Sequence, residues 1–168
     1  MRNVDALILA PIDSRAIVHL KSWLPAPPPA LREPTVPAAP GVPTACRLLT
    51  IGPTEWLLIS DTLAAHTLRE HALKLHQQGI AAVGPSPGLA ALLLEGPLAR
   101  DILTQGCGLD LHPASFPLGT CTRTRLAQLP VIIDYVDLKP RFELYVGRSY
   151  SSYLCSWLND AVEGFRKY

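Results

Sequence analysis

The side chains of this chain best suited to metal or nucleophilic chemistry are five histidines and four cysteines. His66, His71 and His76 recur at intervals of five residues. On a helix, five residues turn through about 500°, so successive imidazoles point about 140° apart and cannot share a metal. Paired ligands need a spacing of three or four, as in H-E-x-x-H. The three read as exposed or half-exposed helix histidines. Cys46, Cys107, Cys121 and Cys155 form no C-x-x-C pair, and no His lies at zinc-ligand spacing from any of them. They read as reduced structural thiols, with Cys155 a small hydrophobe on the apolar side of a helix.

His112 lies in a compact loop, Leu109-Asp110-Leu111-His112-Pro113, with Asp110 as the one carboxylate beside it. An imidazole bonded to nearby backbone would fix such a Pro-bounded loop, and that reading is favoured over catalysis. Gly106 and Gly108 begin a G-x-G, but Leu111 stands at the third position and the helix pattern precedes the glycines instead of following them. The chain has no G-x-x-x-x-G-K and no G-x-S-x-G elbow. No catalytic, cofactor-binding or metal-binding residue is assigned.

The carboxylates fall mostly at turns and helix caps, their ordinary solvated places. Asp101 complements the dipole of a first helical turn that follows Pro97, and Arg100 beside it pairs locally or across an interface. Arg123, Arg125 and Arg148 flank strands. Alternation puts Arg123 and Arg125 on one strand face. That basic face could meet an acidic partner surface or be a solvated sheet face. The candidate interface residues are these three arginines together with Leu7, Leu9 and Trp23.

The elements that must carry these residues are mixed strands and helices. Ala6 to Leu9 reads as a strand. Ser14 to Trp23 reads as a helical stretch, with Ile17, Leu20 and Leu24 at helical spacing. Eight prolines follow in the 19 residues from Pro25 to Pro43. Each fixes φ and removes a donor, so this linker is expected to be extended and polyproline-like. The expected division is therefore an arm and linker over residues 1–45 and a folded body over 46–168. The arm is expected to dock on a partner, the competing view being that Ala6 to Leu9 adds an edge strand to the chain's own sheet.

Within the body, Arg47 to Ile51 and Trp56 to Ser60 read as a hairpin turning at Gly52-Pro53-Thr54-Glu55. Asp61 is the expected N-cap of a helix whose Ala65, Leu68, Ala72 and Leu75 form a buried face, and Gly79 ends it. Ile80 to Val83 and Leu89 to Leu94 read as strands, and Gly96-Pro97 opens a helix that Gly106 closes. Strands are expected at Cys121 to Leu126, Val131 to Tyr135 and Phe142 to Val146. Ser149 is expected to cap a last helix with Tyr150, Leu154, Trp157, Leu158, Ala161 and Phe165 on one side. Trp56 and Trp157 are expected in the core. Without strict βαβα alternation, the class is α+β.

Composition bounds the function. The chain of 168 residues is 48% hydrophobic and 17% charged, which suits an apolar surface or a large buried interface. Its net charge is +1, and the charges are interspersed, so no basic stripe for nucleic acid or membrane is present. The run from Ala6 to Ile12 is too short to span a bilayer and lacks a cleavage-site pattern, making the cytoplasm the expected location.

Five pieces carry a family likeness: Ile51 to Ile59, the helix start Gly96-Pro97-x-Ala99-Arg100-Asp101, the loop Leu109 to Pro113, the strand Thr124 to Ala127, and Phe142 to Tyr150. In order and spacing they resemble the gamma subunit of heterotetrameric sarcosine oxidase. More widely, they resemble the domain family of the aminomethyltransferase (T-protein) of glycine cleavage. The likeness runs from about Cys46 to the C-terminus.

The resemblance implies antiparallel sheets with helices packed on one side, as in the T-protein. It implies a non-catalytic assembly subunit of an enzyme that oxidatively demethylates sarcosine. Its partners would be a large alpha subunit with NAD and folate sites, a flavin-bearing beta subunit and a small zinc-binding delta subunit. FAD, FMN, NAD, zinc and tetrahydrofolate would then belong to the partners. The alternatives are the equivalent subunit of a related secondary-amine or N-methyl amino acid dehydrogenase, or a free-standing folate-dependent one-carbon transferase.

Overall fold

A computed structural model describes residues 7–23, 46–85 and 88–166. The proline-rich linker and the first six residues lie outside the described residues. In chain order the elements begin with β1 (Ile8–Pro11), β2 (Ala16–Ser22), β3 (Arg47–Gly52), β4 (Glu55–Ser60), α1 (Ala65–Lys74) and β5 (Ile80–Pro85). They continue with β6 (Leu89–Glu95), α2 (Ala99–Gly106), β7 (Cys121–Leu126), β8 (Leu129–Asp137), β9 (Arg141–Gly147) and α3 (Ser151–Arg166). Two compact units result, one of residues 1–13 and 88–168, the other of Ser14–Pro87.

The first unit is built on a five-stranded antiparallel sheet in the order β1-β6-β9-β8-β7. Phe142, Leu144 and Val146 of β9 join Val131, Ile133 and Tyr135 of β8 and Leu92 and Leu94 of β6 in one apolar core. Helices cover that face of the sheet with Ala99, Ile102 and Leu103 from α2 and Leu154, Leu158, Ala161 and Val162 from α3. The alternate residues of β8 and β9 (Ile132, Asp134, Glu143 and Tyr145) are buried as well. Strands buried on both faces read as continuous apolar runs, which is why V-I-I-D-Y-V and F-E-L-Y-V show no clean alternation.

The second unit has a four-stranded antiparallel sheet in the order β3-β4-β2-β5. Val18 and Leu20, Leu48, Trp56 and Leu58 pack with Leu68 and Ala72 of α1 and with Leu75 just beyond it. Trp56 is 1% exposed, in keeping with its expected place in the core. The β3–β4 hairpin turns at Pro53-Thr54, as the sequence predicts. Gly79 stops the helical segment with φ 80°, a left-handed conformation that costs glycine no Cβ clash. The class is therefore α+β with antiparallel sheets.

Several expectations are corrected. Residues 16–22 form β2 and not a helix. Ile17, Val18 and Leu20 are buried on both faces between β4 and β5, so the two-residue period vanishes and chance helical spacing takes its place. The described part of residues 1–45 is likewise no separate arm: β1 is an edge strand on β6 and β2 is an inner strand of the other sheet.

Asp61 does not cap α1. Its carboxylate is held by Arg15, with Nε 2.7 Å from Oδ1 and Nη2 2.9 Å from Oδ2. The residue before α1 is Ala64, and the Ser60 hydroxyl instead accepts from the N–H of Leu63 at 3.0 Å. Ser149 falls inside a 3-10 turn, and Ser151 donates its hydroxyl to the Arg148 carbonyl at 2.8 Å. Tyr150 is 48% exposed and so leaves the buried side of α3.

Candidate functional site

Two of the pieces that carry the family likeness, the start of α2 and the loop Leu109 to Pro113, meet through Arg100. Arg100, on the first turn of α2, donates from Nη1 to the Leu111 carbonyl. Its guanidinium carbon lies 4.6 Å from the ring centroid of Tyr135 and 5.2 Å from that of Phe142, which stack on each other at 4.8 Å. A delocalised cation over aromatic faces keeps its fork free for one directed hydrogen bond. Arg100 thus pairs locally and ties the loop to β8 and β9.

Asp110 accepts from the His112 N–H at 2.9 Å, closing a short turn. The Ser115 hydroxyl, and after it that backbone bond, hold its carboxyl below the usual carboxylate range. His112 accepts from the Ala114 N–H through Nδ1 at 3.2 Å, while its carbonyl accepts from Ser115 at 2.9 Å and Phe116 at 2.8 Å. Asp110 and His112 direct these lone pairs at their own loop, in line with the loop-fixing reading of His112. The buried Leu111 and Phe116 on either side anchor the loop in the core.

A cleft of about 440 Å³ opens beside the C-terminus of α2, lined by residues that include Gly106, Gln105, Gln128, Tyr153 and Trp157. The Trp157 ring covers the Gly106 backbone so closely that an added Cβ would stand 2.6 Å from it. Trp157 is thus half-buried at the edge of the core. Ala127 and Gln128, the β7–β8 turn at the rim, have φ of 50° and 68°. A two-residue hairpin of the primed type requires that conformation, but Asn-Gly usually supplies it, and Ala-Gln gives no such signal.

The acidic reading needs correction too. Asp134 of β8 and Glu143 of β9 face each other in register, 0% and 2% exposed. The Tyr145 hydroxyl donates to Glu143 Oε2 at 2.9 Å, and Arg141 Nη2 stands 4.0 Å from Oε1. These carboxylates are structural groups inside the strands, not solvated ones. A carboxylate interrupting an otherwise apolar strand run was the signal for them, because burial requires such a group to be paired. Burial raises the thiols of Cys46 and Cys155, Cys46 against a smaller opposing effect of Ser60, as suits unreactive cysteines.

The six candidate interface residues do not form one patch. Arg123 and Arg125 are exposed on β7, an edge strand. The register through Val131 and Val146 sets Arg148 at the same end of that sheet as Arg125. Arg148 Nη2 lies 3.4 Å from the Leu89 carbonyl. Leu7 and Leu9 sit at the opposite edge, partly buried against the first unit's core. Trp23 belongs to the second unit and is 55% exposed.

These features define a class: an α+β chain of antiparallel sheets whose loop polar groups hold the loops themselves. The chain belongs to the sarcosine oxidase gamma subunit family, which matches residues 38–164. It is 30% identical over 126 residues to the sarcosine oxidase subunit gamma of Corynebacterium sp. (strain U-96), covering 70% of this chain and 57% of that protein. The subunit gamma of Arthrobacter sp. is 30% identical over 133 residues, covering 74% of this chain and 61% of that one. The matched part of the chain thus spans less than two thirds of these relatives' length. Among solved structures it is similar to a chain of the heterotetrameric sarcosine oxidase from Corynebacterium sp. U-96 in complex with pyrrole 2-carboxylate. The TM-score is 0.75 at 26% identity, with 95% of this chain and 85% of that chain covered.

Proposed function

We propose that the chain is the gamma-like, non-catalytic assembly subunit of a heterotetrameric sarcosine oxidase. The observation that carries this reading is the similarity, over 95% of the chain, to a chain of such a heterotetramer. Asp110 and His112, the groups nearest to an acid–base pair, hydrogen-bond to their own loop, which supports a scaffold role. The reading assigns sarcosine demethylation to alpha, beta and delta subunits that hold FAD, FMN, NAD, zinc and tetrahydrofolate. It also assigns the fold to the T-protein type and the complex to the cytoplasm. No helix among the described residues is long and apolar enough to cross a membrane.

The test is co-expression with the candidate partner subunits of the same source, followed by affinity capture through this chain. A yellow assembly that oxidises sarcosine is the expected product, with the isolated chain colourless and inert. An isolated chain that retained flavin or oxidised sarcosine would overturn the proposal. Assaying the captured complex with other secondary amines decides between sarcosine and a related substrate.

A further inference from the structure

The cleft beside the C-terminus of α2 lies wholly within the first unit. The described residues that line it include two aromatic side chains, Tyr153 and Trp157, and two amides, Gln105 and Gln128, but no lysine, arginine or histidine. α2 ends there on Cys107 in an extended conformation, with no basic residue in its last turn. The last carbonyls of a helix have no partner within it and together carry about half a negative charge. Carboxylates stand one turn from the lining side chains: Asp160 is three residues beyond Trp157 and Asp101 four before Gln105, both exposed. The arginines nearby in sequence are directed elsewhere. Leu126 packs in the core with α2 and α3, so alternation sends Arg125 to the other face of β7. Arg100 donates to the Leu111 carbonyl, and Arg148 Nη2 lies 3.4 Å from the Leu89 carbonyl.

We propose that this cleft binds an organic cation, a guanidinium or alkylammonium group on an apolar stem. Aromatic rings and a helix C-terminus both favour positive charge, and the helix end disfavours an anion. The glutamine side-chain oxygens add acceptors for the cation's N–H groups. The same unit shows this pairing in its own Arg100, whose guanidinium lies over Tyr135 and Phe142 while it donates to a backbone carbonyl. At about 440 Å³ the cleft falls in the size range of small-ligand sites, with room for such a head group and its stem. A free cation and an arginine or lysine borne by a partner share this chemistry.

The isotope-labelled full chain is titrated with N-acetyl-arginine amide and with N-acetyl-citrulline amide, its neutral counterpart. The arginine probe is expected to shift the Trp157 indole N–H and the Gln105 and Gln128 side-chain amides, with half-saturation below about 50 mM. The citrulline probe should bind at least about threefold more weakly, the worth of a cation–π contact at an exposed site. Tyr153→Leu alters a side chain that is 54% exposed, and should weaken the arginine probe at least about twofold. Equal affinity for the two probes, shifts that bypass the cleft, or an unaltered response in a folded Tyr153→Leu chain each overturn the site. The comparison of probes needs no variant, so it decides the matter even if Tyr153→Leu fails to fold. Fluorotryptophan at position 157 then distinguishes the sources in the co-expressed complex. A cleft filled by a partner's side chain no longer answers the arginine probe, whereas one for a free cation answers as in the isolated chain. Should the chain join no complex, the subunit reading falls and the cation site still stands or falls by the free-chain titration.

Discussion

Arg100 reaches from the first turn of α2 to the backbone carbonyl of Leu111, eleven positions on, while its guanidinium lies against Tyr135. One side chain therefore joins two pieces of sequence that carry the family likeness, the helix start and the L-D-L-H-P loop, to the five-stranded sheet.

Replacing Arg100 by Lys should loosen that loop. Lysine offers an ammonium point charge in place of a planar fork that stacks and donates at once. The loss should be about 1.5–3 kcal/mol, the worth of a hydrogen bond from a charged group. Denaturant unfolding measures the cost. Hydrogen exchange at residues 109–116 should rise well above that of β8 and β9, and uniform exchange across both would contradict a role centred on the loop.

Asp110 gives the loop a pH dependence of known sign. Its carboxyl is held below the ordinary value of 3.8, first by the Ser115 hydroxyl and then by the His112 N–H. A group whose folded value is depressed stabilises the folded state above its unfolded value and loses that contribution as pH falls through the folded one. The loop should therefore hold its protection down to about pH 4 and lose it in more acid solution. Asp110→Asn keeps an acceptor oxygen for the backbone, so its loop should lack this acid step. NMR titration of the Ala114 and Ser115 amides in both proteins is the measurement.

Gly106 and Trp157 are coupled sterically. A Cβ at position 106 would meet Trp157 Cζ2 and Cη2 at 2.6 Å, with the Ala127 backbone nitrogen at 3.2 Å. Gly106→Ala should cost about 1–3 kcal/mol by overpacking. Combining it with Trp157→Phe removes the clashing ring edge, so the double variant should lose less than the sum of the single losses. Strict additivity in this cycle would mean that the two residues do not press on each other.

How much of this was legible depended on what each residue's neighbours hide. The β3–β4 hairpin, the strands of the second half and the helix closing at Gly106 show in the sequence because turn residues bracket them. β2 does not, because Ile17, Val18 and Leu20 are covered on both sides and leave no alternation. Asp61 looks like a cap from local sequence, but Arg15, 46 residues away, claims its carboxylate. The L-D-L-H-P loop is legible as a turn fixed by hydrogen bonds to its own backbone. The local pairing of Arg100 is not, because the aromatic pair beside it comes from β8 and β9, far along the chain.

The β7–β8 turn should be open to stabilisation. Gln128 has φ 68°, a left-handed conformation that costs an ordinary residue about 1 kcal/mol and costs glycine nearly nothing. Gln128→Gly should raise stability by about 0.5–1 kcal/mol, offset in part by the extra freedom of glycine in the unfolded chain. Thermal melts at matched pH decide the sign. A fall would show that the Gln128 side chain contributes contacts worth more than the strain.

Truncation separates the two strands at the start of the chain. Among the described residues β1 is an edge strand paired with β6, and the sheet keeps four strands without it. Removing residues 1–13 takes away the partly buried Leu7 and Leu9, which should lower the melting temperature by about 5–10 °C while leaving a cooperative fold. β2 lies between β4 and β5 and carries Val18 and Leu20, both 0% exposed. Removing residues 1–22 therefore deletes ladder bonds on both sides and splits the four-stranded sheet, and buried backbone groups left unpaired are costly. That chain should show no cooperative unfolding of the second unit and should bind a dye for exposed apolar surface. Circular dichroism melts of the two truncated chains beside the full one are sufficient. If both truncations melt like the full chain, these residues contribute nothing to the fold, and their strand pairing is not what holds the second sheet together.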